Sequence, residues 1–237
     1  PRALRDDELP GVLAEFVTAA KNAIAAGFDG VEVHCANGYL LDSFLRESSN
    51  QREGPYGGSM ERRARFPLEV VAATAEAIGA GRVGVRISPL NSYQSMAEPD
   101  PVAMTAHFAA ELSRLGIAFL HVLRADFFGI QKGDVVKAAR DNFAAPGVLI
   151  GNLGYDAAEA AAAVDAGLVD AVAFGTAFAA NPDLVERTRL GAALNVPRPQ
   201  FFYTTGPEGY NDYPTLFEVK AAAAADNKAE GTATTVS

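Results

Sequence analysis

The feature that most restricts the fold of this chain is a regular alternation of short apolar strands and amphipathic helices. Apolar residues recur at every second position in the strands and at helical spacing in the helices. Strands are predicted at residues 30–34, 82–88, 117–123, 148–152 and 171–175. Helices are predicted at residues 6–26, 60–78, 101–115, 132–142, 157–166 and 182–190. Because strands that alternate with helices form a parallel sheet, the sequence predicts an α/β protein with five βα units.

Three segments depart from this simple alternation. Pro67 lies inside the helix predicted at 60–78, where a proline predicts a kink or a restart. Residues 192–218 are rich in Pro, Tyr and Gly and predict an ordered closing segment. Residues 219–237 are dominated by Ala, Lys, Thr and Ser, a composition that predicts a loose helix or a disordered tail.

Composition excludes several classes of function. Acidic residues outnumber basic ones by 29 to 20 and the formal net charge is −9, which argues against a nucleic-acid surface. Cys35 is the single cysteine of the 237 residues, so this chain alone cannot build a disulfide, a thiolate zinc cluster or an iron–sulfur centre. We therefore expect no metal site.

The sequence carries no sign of a membrane partner. No apolar run approaches the roughly 18 residues of a membrane span, and the start of the chain lacks a signal-peptide pattern. A cytoplasmic location is therefore expected. The chain begins at Pro1 rather than Met, from which we expect a processed or excised piece of something longer.

A polar cluster follows the first strand. Val31 and Val33 share one face of that strand, while the opposite face carries His34 to the strand's end. Asn37 and Tyr39 follow within a few residues, so an amide and a phenol come close to the imidazole. Carboxyl ends of strands are where α/β folds place their chemistry. The alternative is a hydrogen-bonded core histidine followed by an ordinary turn.

Arg86 lies in the middle of the second strand, on the face opposite Val85 and Ile87. A permanent cation that points into a barrel needs an anionic or electron-rich partner. The sequence leaves two partners open, a bound ligand or an internal ion pair with a carboxylate such as Glu32.

Glycines follow the last two predicted strands, in Gly151-Asn152 and in Gly175-Thr176. In α/β barrels the loops after the final strands commonly bind phosphate, since backbone N–H groups and a helix N-terminus converge there. Glycine lets the backbone approach a phosphate closely. The alternative is a pair of simple turns without a ligand.

Six motifs occur in order along residues 1 to about 218. They are His34-Cys35-Ala36-Asn37-Gly38-Tyr39-Leu40-Leu41, Ser49-Asn50-Gln51-Arg52, Tyr56-Gly57-Gly58-Ser59-Met60-Glu61-Arg62-Arg63, Val83-Gly84-Val85-Arg86-Ile87-Ser88-Pro89, Ala180-Asn181-Pro182-Asp183-Leu184 and Gly209-Tyr210-Asn211-Asp212-Tyr213-Pro214. Together they closely resemble the Old Yellow Enzyme flavoproteins. The resemblance implies a (β/α)8 TIM barrel that binds FMN, takes hydride from NADH or NADPH and reduces activated alkenes such as enones, enals and nitroalkenes.

The resemblance also implies roles for the residues after the first strand. His34 and Asn37 would hold the carbonyl or nitro oxygen of the substrate, and Tyr39 would protonate the α-carbon. Two fixed donors at an oxygen that gains negative charge can each contribute on the order of 3 kcal/mol. Tyr203 would lie over the active site.

The cofactor residues implied by the resemblance are spread along the chain. Arg86 would lie beside the flavin N1 and C2 oxygen, while Gly151, Asn152 and Gly175 would hold the phosphate. Many family members have an arginine where this chain has Thr176. A hydroxyl replaces one hydrogen bond but not the charge, so we expect FMN to be held more weakly here.

The family barrel begins with strands that this chain lacks. Five βα units cannot close an eight-stranded barrel, so we expect the N-terminal part of the barrel to come from a separate chain. Residues 1–218 are then the C-terminal part of a flavin-binding barrel, and 219–237 form its tail.

Two further functions remain open. One is a related iron–sulfur flavoprotein such as a dienoyl-CoA reductase, which a single cysteine disfavours. The other is a non-catalytic fragment or assembly partner that keeps the site residues only as structure. We assign no function to His107 and expect His121, inside the third strand, to be a core hydrogen-bonder.

Overall fold

Five short strands form one parallel sheet whose order follows the sequence. A computed structural model describes residues 2–233 of the chain. The strands are β1 (Val31–Cys35), β2 (Val83–Ile87), β3 (Phe119–Leu123), β4 (Val148–Asn152) and β5 (Ala171–Ala173). Each pairs in parallel with the next, in the order β1-β2-β3-β4-β5. The predicted parallel α/β sheet is confirmed.

Helices follow the strands in alternation. They are α1 (Leu9–Ala25), α2 (Leu40–Leu45), α3 (Met60–Ile78), α4 (Pro101–Arg114), α5 (Val135–Asn142), α6 (Ala157–Asp165), α7 (Thr176–Ala180), α8 (Leu184–Leu190) and α9 (Leu216–Ala233). The chain divides into two compact units, Pro1–Ala173 and Phe174–Ser237. The whole sheet lies in the first unit, and α7, α8 and α9 lie in the second.

Aspartates begin three of these helices. Asp100, Asp134 and Asp156 each accept a hydrogen bond from the backbone N–H three residues later, which satisfies a donor that the first helical turn leaves free. The sequence predicted that this helix begins at residue 132. α5 instead begins at Val135, because Asp134 caps it.

The two faces of the sheet differ in chemistry. Val33, Val85, Leu120 and Leu149 are register partners across β1 to β4, and all are buried in the core against the helices. The neighbouring row on the opposite face contains two imidazoles and a guanidinium. That row consists of His34, Arg86, His121 and Ile150. The fold therefore places a polar row on the face that the helices do not cover.

Several predicted element boundaries are wrong. α3 runs through Pro67 as one helix, so the predicted restart does not occur. Proline costs about 3 kcal/mol inside a helix, but buried side chains such as Phe66 and Val70 contribute roughly 2 kcal/mol each to packing. Tertiary burial thus outweighs the local preference. The short helices α2 and α7 were not predicted, β5 ends at Ala173 rather than at 175, and α8 begins at Leu184 rather than at 182.

α9 covers most of the segment predicted as a loose helix or disordered tail. It runs from Leu216 to Ala233, and residues 234–237 lie outside the described residues. The predicted domain boundary after residue 218 stays a prediction. Among the described residues, every helix is too short or too polar to cross a bilayer.

Candidate active site

His34 and Tyr39 lie together at the carboxyl end of β1. The two rings have their centroids 5.3 Å apart and are tilted by 56°. His34 is half-buried, whereas Tyr39, the residue before α2, is 56% exposed. An imidazole and a reachable phenol therefore share one surface.

The charge state of His34 follows from its surroundings. Burial lowers the pKa of His34, and the neighbouring Arg86 guanidinium lowers it further, outweighing the opposite effects of Glu32 and Asp42. Since the ordinary histidine pKa of about 6.5 is already below neutrality, the ring is neutral at pH 7. A neutral imidazole has one N–H to donate.

The turn after β1 has a forced backbone shape. Asn37 has φ 58° and Gly38 has φ 73°, so the backbone of both residues lies in the left-handed region. Asn37 N donates to Ser88 Oγ (2.7 Å), and Gly38 N donates to Asp42 Oδ2 (2.8 Å). A Cβ at Gly38 would lie 2.8 Å from Cβ of Gln94, so glycine is needed there for space as well as for its conformation.

A buried ion pair holds this turn against the end of β2. Arg46 Nε lies 2.7 Å from Asp42 Oδ1, and each of the two side chains is only 2% exposed. Arg46 also donates to the carbonyl oxygens of Ser88 and Pro89. Burial raises the pKa of Asp42, against the lowering effect of Arg46. Sequence reasoning missed this pair, although an acid and an arginine four residues apart were a usable signal.

Arg86 has a protein partner on β4. Its Nη2 donates to Asn152 Oδ1 (2.9 Å), and Asn152 Nδ2 in turn donates to the Ala173 carbonyl (2.8 Å). Glu32 instead lies 2.8 Å from Nδ1 of His121, so the alternative of an Arg86–Glu32 ion pair is wrong. His121 is hydrogen-bonded, as expected of a core histidine.

Arg86 also has a donor to spare. Its buried Nε has no hydrogen-bond partner within the described part of the chain. A guanidinium with a buried N–H that lacks an acceptor fits a bound anionic or electron-rich group. The site thus fits the edge of a cofactor such as a flavin ring.

The glycines after the last strands have different surroundings. A Cβ at Gly151 would lie 3.0 Å from Tyr155 Oη, so packing against that ring already disfavours a side chain there. In the second unit, Gly175 is the residue before α7 and Thr176 is its first residue. Tyr203, also in the second unit, is 97% exposed. Their predicted ligand roles stay predictions.

Comparisons with known proteins agree on one family. The profile of the NADH:flavin oxidoreductase / NADH oxidase family matches residues 1–195. A probable flavin mononucleotide-dependent alkene reductase of Leishmania infantum is 52% identical over 216 residues, which are 91% of this chain and 58% of that protein.

Solved structures give the same result. The old yellow enzyme from Trypanosoma cruzi is 50% identical with a TM-score of 0.88, covering 91% of this chain and 58% of its own. Morphinone reductase in complex with tetrahydroNAD is 47% identical with a TM-score of 0.84, at the same coverage. The chain thus spans about 58% of the length of these relatives.

Proposed function

Because this chain belongs to the NADH:flavin oxidoreductase / NADH oxidase family, we propose that it forms the C-terminal part of an FMN-dependent ene-reductase. That enzyme reduces the C=C bond of an activated alkene with NADH or NADPH. The predicted resemblance to Old Yellow Enzymes is confirmed, and so is the predicted fold class, with five strands that match part of a (β/α)8 barrel.

The end of β1 supports the proposal most directly. Reduction of an activated alkene pushes negative charge onto the substrate's carbonyl or nitro oxygen. His34, whose lowered pKa keeps it neutral, lies at the end of β1, and the amide of Asn37 lies in the turn that follows, so the end of β1 offers two donors. Each such donor can contribute on the order of 3 kcal/mol to stabilising the developing charge.

Tyr39 is the proposed acid. Its ring lies against His34, so a substrate oxygen held by the imidazole would have a phenol O–H nearby. After hydride reaches the β-carbon, the α-carbon carries negative charge and takes its proton from Tyr39. Exposure of Tyr39 leaves room for a substrate beside it.

Arg86 is the proposed ring contact of the cofactor. FMN supplies the hydride when it is bound. The Nε of Arg86, whose hydrogen no described protein group accepts, would donate to the flavin edge that carries N1 and the C2 oxygen. The hydrogen bond to Asn152 would keep the guanidinium in place. Gly151, Asn152, Gly175 and Thr176 would hold the phosphate, and Tyr203 would cover the substrate. The hydroxyl of Thr176 would do so without the charge that an arginine supplies.

Completion of the barrel needs further polypeptide. A closed barrel has eight strands, and within the described residues β1 and β5 have one strand neighbour each. We propose that polypeptide outside residues 1–237 supplies the missing βα units. The non-catalytic fragment and the iron–sulfur reductase remain the competing functions.

Reconstitution tests the proposal. The chain would be purified alone and after co-expression with the N-terminal barrel segment of the Leishmania infantum relative, and visible flavin absorbance and 2-cyclohexenone reduction would be measured. We expect both signals only from the pair. A flavin-loaded, stable monomer of residues 1–237 alone would contradict the need for further βα units. A folded pair without flavin would favour the non-catalytic fragment, and bound iron would favour the iron–sulfur enzyme.

Two variants of the reconstituted enzyme test the residue roles. Tyr39→Phe should slow alkene reduction far more than flavin reduction by NADPH, and equal slowing would remove its role as the acid. Replacement of His34 and Asn37 together by alanine should abolish phenol binding and most turnover while flavin stays bound. Unchanged turnover would contradict the oxygen-binding assignment.

A further inference from the structure

Asn91 is a completely buried amide in the loop after β2. Its Nδ2 donates to Asn37 Oδ1 (2.9 Å), and its Oδ1 accepts from the backbone N–H of Tyr93 (3.3 Å). Its own backbone N–H donates to the Ser88 carbonyl (2.9 Å). The side chain is therefore engaged at both ends, and one of its partners is the proposed substrate-binding Asn37.

These two hydrogen bonds determine which way each amide faces. The backbone N–H of Tyr93 can only donate, so the atom of Asn91 that faces it must be the oxygen. The NH₂ group of Asn91 then faces Asn37, whose oxygen must accept from it. Within the described residues, Nδ2 of Asn37 has no protein acceptor and remains available to a ligand.

We propose that Asn91 is a positioning residue that sets the orientation of the Asn37 amide, so that its NH₂ group and not its oxygen meets the substrate. This inference rests on the proposed function, since it assumes that Asn37 binds the activating oxygen of the alkene. Rotation of the Asn37 amide by half a turn would bring the NH₂ groups of Asn37 and Asn91 face to face, which breaks their hydrogen bond, and would turn the Asn37 oxygen toward the ligand. Asn91 thereby makes the site selective for ligands that accept hydrogen bonds.

Asn91→Asp is the sharpest test because it keeps size and turn geometry. One carboxylate oxygen still accepts from Tyr93 N, but the other can only accept, so Asn37 must turn its NH₂ group toward Asp and present its oxygen to the ligand. The phenol used in these titrations is pentafluorophenol, an acidic phenol that is ionised at pH 7, so its oxygen can only accept hydrogen bonds. In the reconstituted holoenzyme we expect it to bind about tenfold or more weakly to the variant, read from the change in flavin absorbance on titration. We also expect lower kcat/KM for 2-cyclohexenone with flavin content and flavin reduction by NADPH unchanged.

A double-variant cycle separates positioning from general damage. With Asn37→Ala already present, Asn91→Asp should weaken phenol binding no further, because the amide that it turns is gone. Asn91→Ser keeps an acceptor for the turn without the amide donor, and it should give an intermediate loss if the aspartate variant does not fold. Additive losses, or full phenol affinity in a folded Asn91→Asp or Asn91→Ser enzyme, would overturn the inference.

The same experiment distinguishes this inference from the proposed function. If the unmodified holoenzyme neither binds phenol nor reduces the enone, the proposed function itself fails. If it does both, and Asn37→Ala loses phenol binding while Asn91→Asp keeps it, only the positioning role of Asn91 fails.

Discussion

Asp126, in the loop after β3, should stabilise the fold by a margin that depends on pH. Its carboxylate accepts hydrogen bonds from four residues. Ser92 donates through N (2.9 Å) and Oγ (2.8 Å), and the backbone N–H groups of Phe128 (3.2 Å), Ile130 (2.9 Å) and Gln131 (3.1 Å) supply the rest. Two loops next to the candidate active site are thus tied to one carboxylate.

The size of this stabilisation follows from the pKa of the Asp126 carboxyl group. Burial raises the pKa of Asp126, but the donors outweigh it and lower the pKa from 3.8 to about 2. A depressed pKa means that the folded state favours the ionised group, so its stabilisation is complete above the unfolded pKa and is lost as pH falls through the folded one. The shift corresponds to roughly 2 kcal/mol at pH 7, of which about half remains at pH 3.

Asp126→Asn is the test. An amide offers one acceptor oxygen and a donor that opposes the surrounding N–H groups, so we expect a loss of about 2 kcal/mol in the free energy of unfolding at pH 7. The difference in free energy of unfolding between wild type and variant should become smaller as the pH falls from 5 to 3. Urea unfolding at several pH values gives the global effect, and amide hydrogen exchange at Ile130 and Gln131 gives the local one.

Asp141→Asn provides the matched control, because the Asp141 side chain is 54% exposed and, among residues 2–233, forms an ion pair only with Lys137 on the surface. It should change stability by less than about 1 kcal/mol. The stabilising role of Asp126 is refuted if Asp126→Asn lowers the free energy of unfolding by under about 0.5 kcal/mol at pH 7. It is also refuted if that loss is the same at pH 3 as at pH 7.

Two further predictions concern packing and charge. Arg46→Met should cost about 3–5 kcal/mol in urea unfolding because it leaves a buried carboxylate unpaired. Lys137→Met, which breaks an exposed pair of the same spacing, should cost under about 1 kcal/mol, and equal losses would contradict this. Gly84→Ala should lower the thermal midpoint, with a cost of about 1–3 kcal/mol, because the new Cβ would overlap the Phe119 ring. Gly81→Ala, where a Cβ meets nothing within 4 Å, should leave the midpoint nearly unchanged, and a similar drop in both would refute the overlap argument.

Much of the fold could be predicted because its signals are local. The period of apolar residues identified all five strands. The helix starts at Asp100 and Asp156 are local as well, because each aspartate accepts a hydrogen bond from a residue only three positions away. The helices α2 and α7 escaped prediction because six and five residues are too few to show a period. The restart predicted at Pro67 does not occur, because the burial that holds this helix together depends on distant residues that a local rule does not include.

The candidate site was predicted only as a list of residue types. The sequence by itself determined that an imidazole, an amide and a phenol follow the first strand, and that an arginine lies in the second. Tertiary structure alone decided that Arg86 pairs with Asn152 rather than Glu32, and that Asn91 meets Asn37. Those partners are 66 and 54 positions apart in the chain, and a hydrogen bond depends on distances of a few tenths of an ångström. Such distances are set by the register of neighbouring strands and by the shape of the loops after them. Neither can be read from the order of residues in the chain.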